Sequence, residues 1–209
     1  MSNLLKTLAI VLIAGFAAPA LAQDPAATPA AEPAVGETYV ASAYGDWEMQ
    51  CVRTEDNFDP CQLYQLLKMD DGNPVAEISM FALPPGQPAA AGATILTPLE
   101  TLLSQMVAIS FNGGEPRRYP FTFCNSVGCV VRAGFSTDDV AAMETGTSAV
   151  LALVPMVAPD QVVEAKISLI GFAEGYAAVK AANAATDAAA AAAAGIAPIA
   201  PGDAPTPRP

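Results

Sequence analysis

Between residues 39 and 179, short segments of alternating apolar and polar side chains are separated by turn residues. This pattern confines the chain to an antiparallel sheet with one face on a core. The clearest segment spans residues 161–169, where Val163, Ala165, Ile167 and Leu169 fall on one face and Glu164, Lys166 and Ser168 on the other. Val107, Ile109 and Phe111 alternate with Ala108 and Ser110, and Tyr119, Phe121 and Phe123 alternate with Arg118, Pro120 and Thr122. Asn112-Gly113 supplies the positive φ values of a tight hairpin between these two segments, and Asp70-Asp71-Gly72-Asn73-Pro74 gives a second hairpin signal. Pro120 cannot donate to a ladder, so its strand is expected at an edge or with that position facing outward. The unbroken apolar strands of a parallel sheet are missing.

Two helical inserts are expected. Ser136 is a hydroxyl N-cap followed by Asp138 and Asp139, with Val140 and Met143 inward and Gly146 as the stop. Residues 98–105 form the other, with Leu99, Leu102 and Leu103 inward. The fold class read from these signals is all-β: an antiparallel sandwich with short helical inserts. A domain of about 140 residues buries roughly two-thirds of its unfolded surface, enough for a core without a metal.

The two ends differ from this middle. Lys6, an apolar stretch over residues 8–18 and Ala20-Leu21-Ala22 read as a signal peptide over residues 1–22, cleaved before Gln23. Its apolar stretch is shorter than the ~20 residues of a spanning helix, so the mature chain is expected to carry no transmembrane segment. Residues 23–38 are a flexible Ala/Pro leader and residues 39–182 the folded domain. Residues 183–209 form an Ala/Pro-rich tail, with helix near residues 172–182 docking on the domain and Gly195, Pro198 and Pro201 stopping any helix beyond. The expected location is the periplasm, the outer cell envelope or the exterior.

Composition removes several function classes. With 9 Lys+Arg against 21 Asp+Glu the formal charge is -12, which repels phosphate backbones, so nucleic acid is not an expected partner. With 0 His, no Ser-His-Asp triad, Cys-His dyad or His-ligated zinc site can be built. No catalytic residue, metal site or cofactor is assigned.

Cys51, Cys61, Cys124 and Cys129 allow three disulfide connectivities in an oxidising compartment. Reach and turn chemistry favour the two local pairs. Residues 125–128 let Cys124 and Cys129 face each other across a hairpin, and residues 52–60 form a polar loop between Cys51 and Cys61. Chain entropy does not decide, since each local closure contributes about 2–3 kcal/mol and longer crossed links would contribute more. The spacings C-x9-C and C-x4-C match neither zinc knuckles nor C-x-x-C redox pairs, so the cysteines read as staples.

Other residues are weighed singly. Trp47, the sole Trp, reads as a core anchor rather than a ligand platform. Asp46 and Glu48 share a strand face and could hold a cation, although solvated strand carboxylates are commoner. Residues 70–73 lack the spaced acids of a calcium loop and read as a turn. Arg117 and Arg118, the one adjacent basic pair, are candidates for binding a carboxylate or phosphate, with Arg132 following the second cysteine pair. Neutralisation of nearby acids is the competing role. Met80, Met106, Met143 and Met156 read as core fillers.

Several pieces form a family pattern: Tyr44-Gly45-Asp46-Trp47 before Cys51, Cys61-Gln62-Leu63 with Gln65, Phe121-x-x-Cys124-x-x-x-Gly128-Cys129, and Ser168-Leu169-Ile170-Gly171-Phe172. In order and spacing the chain resembles the invasion-associated locus B family of exported bacterial proteins over residues 44–179. The resemblance implies an immunoglobulin-like β-sandwich, periplasmic or outer-envelope residence and local disulfides. It carries no established biochemical activity. Residues 97–102 depart from the family's glycine-containing element, and the tail lies outside it. The functional expectation is a non-enzymatic envelope module that binds an unknown envelope or surface protein through a sheet edge. The alternatives are a purely structural envelope protein or a His-independent, glycan-directed enzyme. An enzyme of that kind needs two acids about 5–10 Å apart in one pocket, against Asp46, Glu48 and Glu77 scattered over a surface.

Overall fold

The alternating segments become eleven strands of one antiparallel sheet. They are β1 (Thr38–Tyr44), β2 (Trp47–Val52), β3 (Cys61–Lys68), β4 (Pro74–Ala82), β5 (Ala91–Thr97), β6 (Val107–Phe111), β7 (Arg117–Tyr119), β8 (Phe121–Cys124), β9 (Cys129–Phe135), β10 (Ser148–Leu153) and β11 (Val163–Ser168). The computed structural model describes residues 32–195; the expected signal peptide, the leader up to residue 31 and the tail from residue 196 lie outside them. The strand order is β7-β6-β10-β11-β3-β4-β5-β9-β8, with β1 and β2 joined through the β2–β3 pair. Partner changes on β3 knit this sheet together: Cys61 to Tyr64 pair with β2, whereas Lys68 pairs with Lys166 of β11.

The expected antiparallel β architecture is found, and it takes the form of a single sheet that curls until its two ends approach each other, nearly closing into a barrel-like shape. The ends meet at Pro120. Upstream of it Arg117, Arg118 and Tyr119 pair with β6, and downstream Phe121, Phe123 and Cys124 pair with β9. Tyr119 packs edge-on against Phe135 of β9 with ring centroids 5.8 Å apart, so the gap is filled by side chains where proline breaks the ladder. The expected edge position of Pro120 is found, but its strand is two short strands at opposite ends of the sheet. Alternation specifies one apolar face and leaves open whether the sheet splits in two or curls into a barrel-like shape.

The inward residues form one core that includes Trp47, Leu63, Ile78, Ile95, Ile109, Val131, Phe135, Leu151 and Ile167. Helix α1 (Thr137–Thr145) follows the sequence signals: Ser136 and Asp139 form a capping box, and Val140 and Met143 are buried. Residues 98–105 depart from them. Only Leu103–Gln105 makes a 3-10 turn, Leu99 and Leu103 are exposed, and Thr101 is the residue that is buried. The cause is pairing. Leu102 N–H donates to Val154 O and Met156 N–H to Glu100 O, each at 2.7 Å, so the segment lies extended across one end of the barrel. Met143 and Met80 are core residues, whereas Met106 and Met156 are exposed.

Helix α2 (Phe172–Ala193) covers the core with Phe172, Tyr176 and Val179, spaced by four and three residues. Phe172 meets Trp47 edge-on at 5.4 Å and stacks on Tyr176 at 5.5 Å. The helix continues past residue 182, and Asn183 is its next inward residue. Cys61 N–H donates to Asn183 Oδ1, and Asn183 Nδ2 donates to Cys61 O, both at 2.8 Å.

One polar junction ties the start of the sheet to its end. Trp47 Nε1 donates to Ser168 O at 2.7 Å, and buried Gln65 donates from Nε2 to Asp46 O and Ser168 O, each at 3.1 Å. Ser168 N–H donates back to Gln65 Oε1 at 2.9 Å, and Ser168 Oγ donates to Asp46 Oδ2. The backbones here approach too closely for side chains: a Cβ on Gly171, whose φ is 81°, would lie 2.1 Å from Tyr44 O. Replacing Gln65 by Leu keeps the volume but strands the Ser168 N–H in a buried site. Urea denaturation of Gln65→Leu is expected to show a loss of about 2–4 kcal/mol; a loss under about 0.5 kcal/mol would make the junction incidental.

Candidate functional site

Both cysteine pairs are closed locally. Cys51 and Cys61 are cross-strand partners joined at 2.02 Å between sulfurs, and Cys124 and Cys129 close the β8–β9 hairpin at 2.05 Å. Each pair has its Cα atoms 4.0 Å apart. The shorter hairpin is held by Asn125, whose Oδ1 accepts from Val127 N–H at 2.9 Å and Gly128 N–H at 3.2 Å. Closed disulfides fit an oxidising compartment.

The longer loop is organised by Asp59. Its Oδ1 accepts from Thr54 N–H at 2.8 Å and Thr54 Oγ1 at 3.0 Å, and its Oδ2 accepts from Tyr39 OH and meets Arg53 Nη1, both at 2.8 Å. The Arg53 guanidinium also lies 5.0 Å above the Tyr39 ring centroid. The Thr54 N–H chiefly, then the Tyr39 and Thr54 hydroxyls and Arg53, hold the Asp59 carboxyl below its ordinary pKa. The hydrogen bond to Asp59 in turn raises the Tyr39 pKa. A carboxyl with a lowered folded pKa stabilises above its unfolded pKa and loses that contribution as pH falls through the folded value. The stability gap between the wild type and Asp59→Asn, followed by thermal melting, is therefore expected to be full at pH 6 and to shrink as pH drops below about 4. A gap independent of pH would contradict this.

The arginine pair does not form one site, because adjacent strand residues point to opposite faces. Arg117 is paired with buried Asp139, whose Oδ2 also accepts from Ser136 N–H at 2.9 Å and Ser136 Oγ at 2.8 Å. Arg118 donates to Gln105 O at 3.1 Å. Arg117 thus neutralises a helix-capping acid, the competing role weighed for it. Asp139→Ala is expected to cost about 2–4 kcal/mol in urea denaturation, because the cap and the ion pair are lost together. Arg117→Ala, which leaves the cap intact, is expected to cost about 1 kcal/mol. No measurable loss for Arg117→Ala would separate Arg117 from this role.

The carboxylates singled out in the sequence have different surroundings. Asp46 belongs to the junction with Ser168, and Glu48 accepts from Gln50 Nε2 at 3.0 Å. Glu77 lines an open hollow of about 280 Å³ with Leu66, Leu96, Pro98 and Val127, where no second acid is present. Burial, then the charges of Glu77 and Glu48, raise the Tyr64 pKa on the same outer sheet face. Residues 70–73 form the β3–β4 turn, with Gly72 at φ 84°. Among the described residues no cluster of three or more His, Cys, Asp or Glu side chains could hold a metal, and no helix is long and apolar enough to cross a membrane.

Two surface features were not singled out in the sequence. Beside the free edge of β8, Leu103, Met106, Phe121 and Phe123 line an apolar hollow of about 300 Å³. No sequence signal marks it, since Leu99, Leu102 and Leu103 have the spacing of an inward helical stripe. On the outer face, Phe81, Gly92, Thr94 and Arg132 line a second hollow.

The model of the invasion associated locus B protein family matches residues 47–180. The chain belongs to this family. A solved structure, invasion associated protein B from Bartonella henselae, aligns at a TM-score of 0.55 and 21% identity, covering 66% of this chain and 94% of that one. At that identity it supports the fold alone. No curated protein matches the chain. The invasion associated locus B motifs now have physical roles. Tyr44 to Trp47, Gln65 and Ser168 to Phe172 meet at the buried junction, while Cys51, Cys61, Cys124 and Cys129 close the two loops. These residues build the scaffold, and the motif's Phe121 also lines the hollow beside β8.

Proposed function

We infer that the chain is a non-enzymatic interaction module of the cell envelope, which receives an extended segment of another envelope or surface protein along β8. The carrying observation is a strand edge left unpaired among the described residues, with apolar side chains beside it. β8 ends the sheet path, and Phe123 (45% exposed), Leu103 (44%) and Met106 (40%) stand next to it. An added strand would bond to the free backbone groups of β8 and place alternate side chains in the hollow. The Cys124–Cys129 link holds that edge rigid, which lowers the ordering cost of binding. The oxidised cysteines support export through residues 1–22 into the periplasm or outer envelope, and the name of the Bartonella protein, invasion associated, suits contacts at a cell boundary. The glycan-directed enzyme reading is less well supported, since Asp46, Glu48 and Glu77 do not share one cavity.

Crosslinking in intact cells producing the full chain tests this reading. A discrete crosslinked product is expected for the wild type and for Val40→Asp on the β1 edge, and at least tenfold less for Phe123→Asp with native disulfides retained. Equal yields from both variants, or turnover of an envelope glycan by the purified protein, would overturn it.

A further inference from the structure

The outer face of the sheet carries a row that runs across five strands. Glu48 of β2 faces Tyr64 of β3, which faces Ser79 of β4, then Thr94 of β5, then Arg132 of β9. The adjacent row contains Phe81, Gly92 and Gly134. Neither glycine has a positive φ, so their backbone conformation does not call for glycine. What they provide is space. A Cβ on Gly92 would come within 2.9 Å of Phe81 Cζ, so the Phe81 ring lies across the bare backbone of β5. Phe81 remains 36% exposed, and an open hollow of about 400 Å³ lies between it, Thr94 and Arg132.

Arg132 is exposed, and among the described residues no hydrogen bond or ion pair holds it. The other three described arginines are engaged: Arg53 with Asp59, Arg117 with Asp139, and Arg118 with a backbone carbonyl. In a chain of formal charge -12, a free guanidinium beside the Thr94 hydroxyl offers a local positive site. Its planar fork suits a carboxylate. Phe81 and Arg132 stand on strands two spacings apart, about 10 Å.

We propose that this hollow binds a carboxylate-bearing saccharide, with a sugar ring on the exposed Phe81 ring, its hydroxyls on Thr94, and its carboxylate on Arg132. The aromatic face accepts the apolar C–H face of the sugar, and the threonine hydroxyl both donates and accepts, as sugar hydroxyls do. An acidic peptide is less well matched, because a sheet face, unlike an edge, presents no backbone N–H or C=O groups for a peptide to pair with. The site does not rest on strand addition at β8, and either can fail without the other.

The test is titration of the oxidised protein with tetragalacturonate, maltotetraose and tetraglutamate, followed by backbone NMR shifts. Tetragalacturonate is expected to give saturable shifts at Thr94, Arg132 and Gly92, weakened at least tenfold by Arg132→Gln and severalfold by Phe81→Leu, which keeps Gly92 covered. Maltotetraose and tetraglutamate are expected to bind at least tenfold more weakly. The proposal is overturned if tetragalacturonate does not saturate, if Arg132→Gln binds it unchanged, or if tetraglutamate binds as tightly.

Discussion

The carbonyl of Ser168, where β11 turns into α2, accepts from both the Trp47 indole and the Gln65 amide, and the rest of the architecture depends on that meeting. Trp47 opens β2 and Gln65 lies on β3, so one peptide group near the end of the domain is fastened to two strands near its beginning. The link places α2 over the core, because Phe172 follows the junction directly and meets the Trp47 ring. It also explains the close backbone approach at Gly45 and Gly171, where any side chain would strike the opposing segment.

Around this junction the fold is held by fasteners of limited reach. The Cys51–Cys61 disulfide and Asp59 order one loop, and Asn183 of α2 binds both backbone groups of Cys61. The Cys124–Cys129 disulfide does the same for β8 and β9, next to the place where Pro120 transfers the chain from one end of the sheet to the other. A scaffold fixed in this way can keep an unpaired edge and an uncovered sheet face in constant shape, as a binding surface requires. The edge of β8 and the Phe81–Arg132 hollow are two separate expressions of that rigidity.

Much of the local structure was legible in the residues. Period-two alternation located β6 and β11, Ser136 and Asp139 announced α1, and turn chemistry favoured the disulfides that form. Closure of the sheet was not legible, because alternation reports which face is apolar and nothing about which strands become neighbours. The reading of residues 98–105 failed for a related reason: its leucines have helical spacing, but pairing with residues 154–156 imposed an extended path. Asn183 could have been found by extending the Phe172, Tyr176, Val179 stripe one more step. The idle state of Arg132 could not, since only the folded chain shows which arginines have found partners.

The junction's importance can be measured through a single proton. The chain has 1 Trp, so its indole N–H gives one resolvable resonance. If the junction holds the fold together, native-state exchange of that proton and of the Ser168 amide will occur only through global unfolding, with the free energy obtained from denaturant melts. Exchange through a local opening several kcal/mol below the global value would contradict the account.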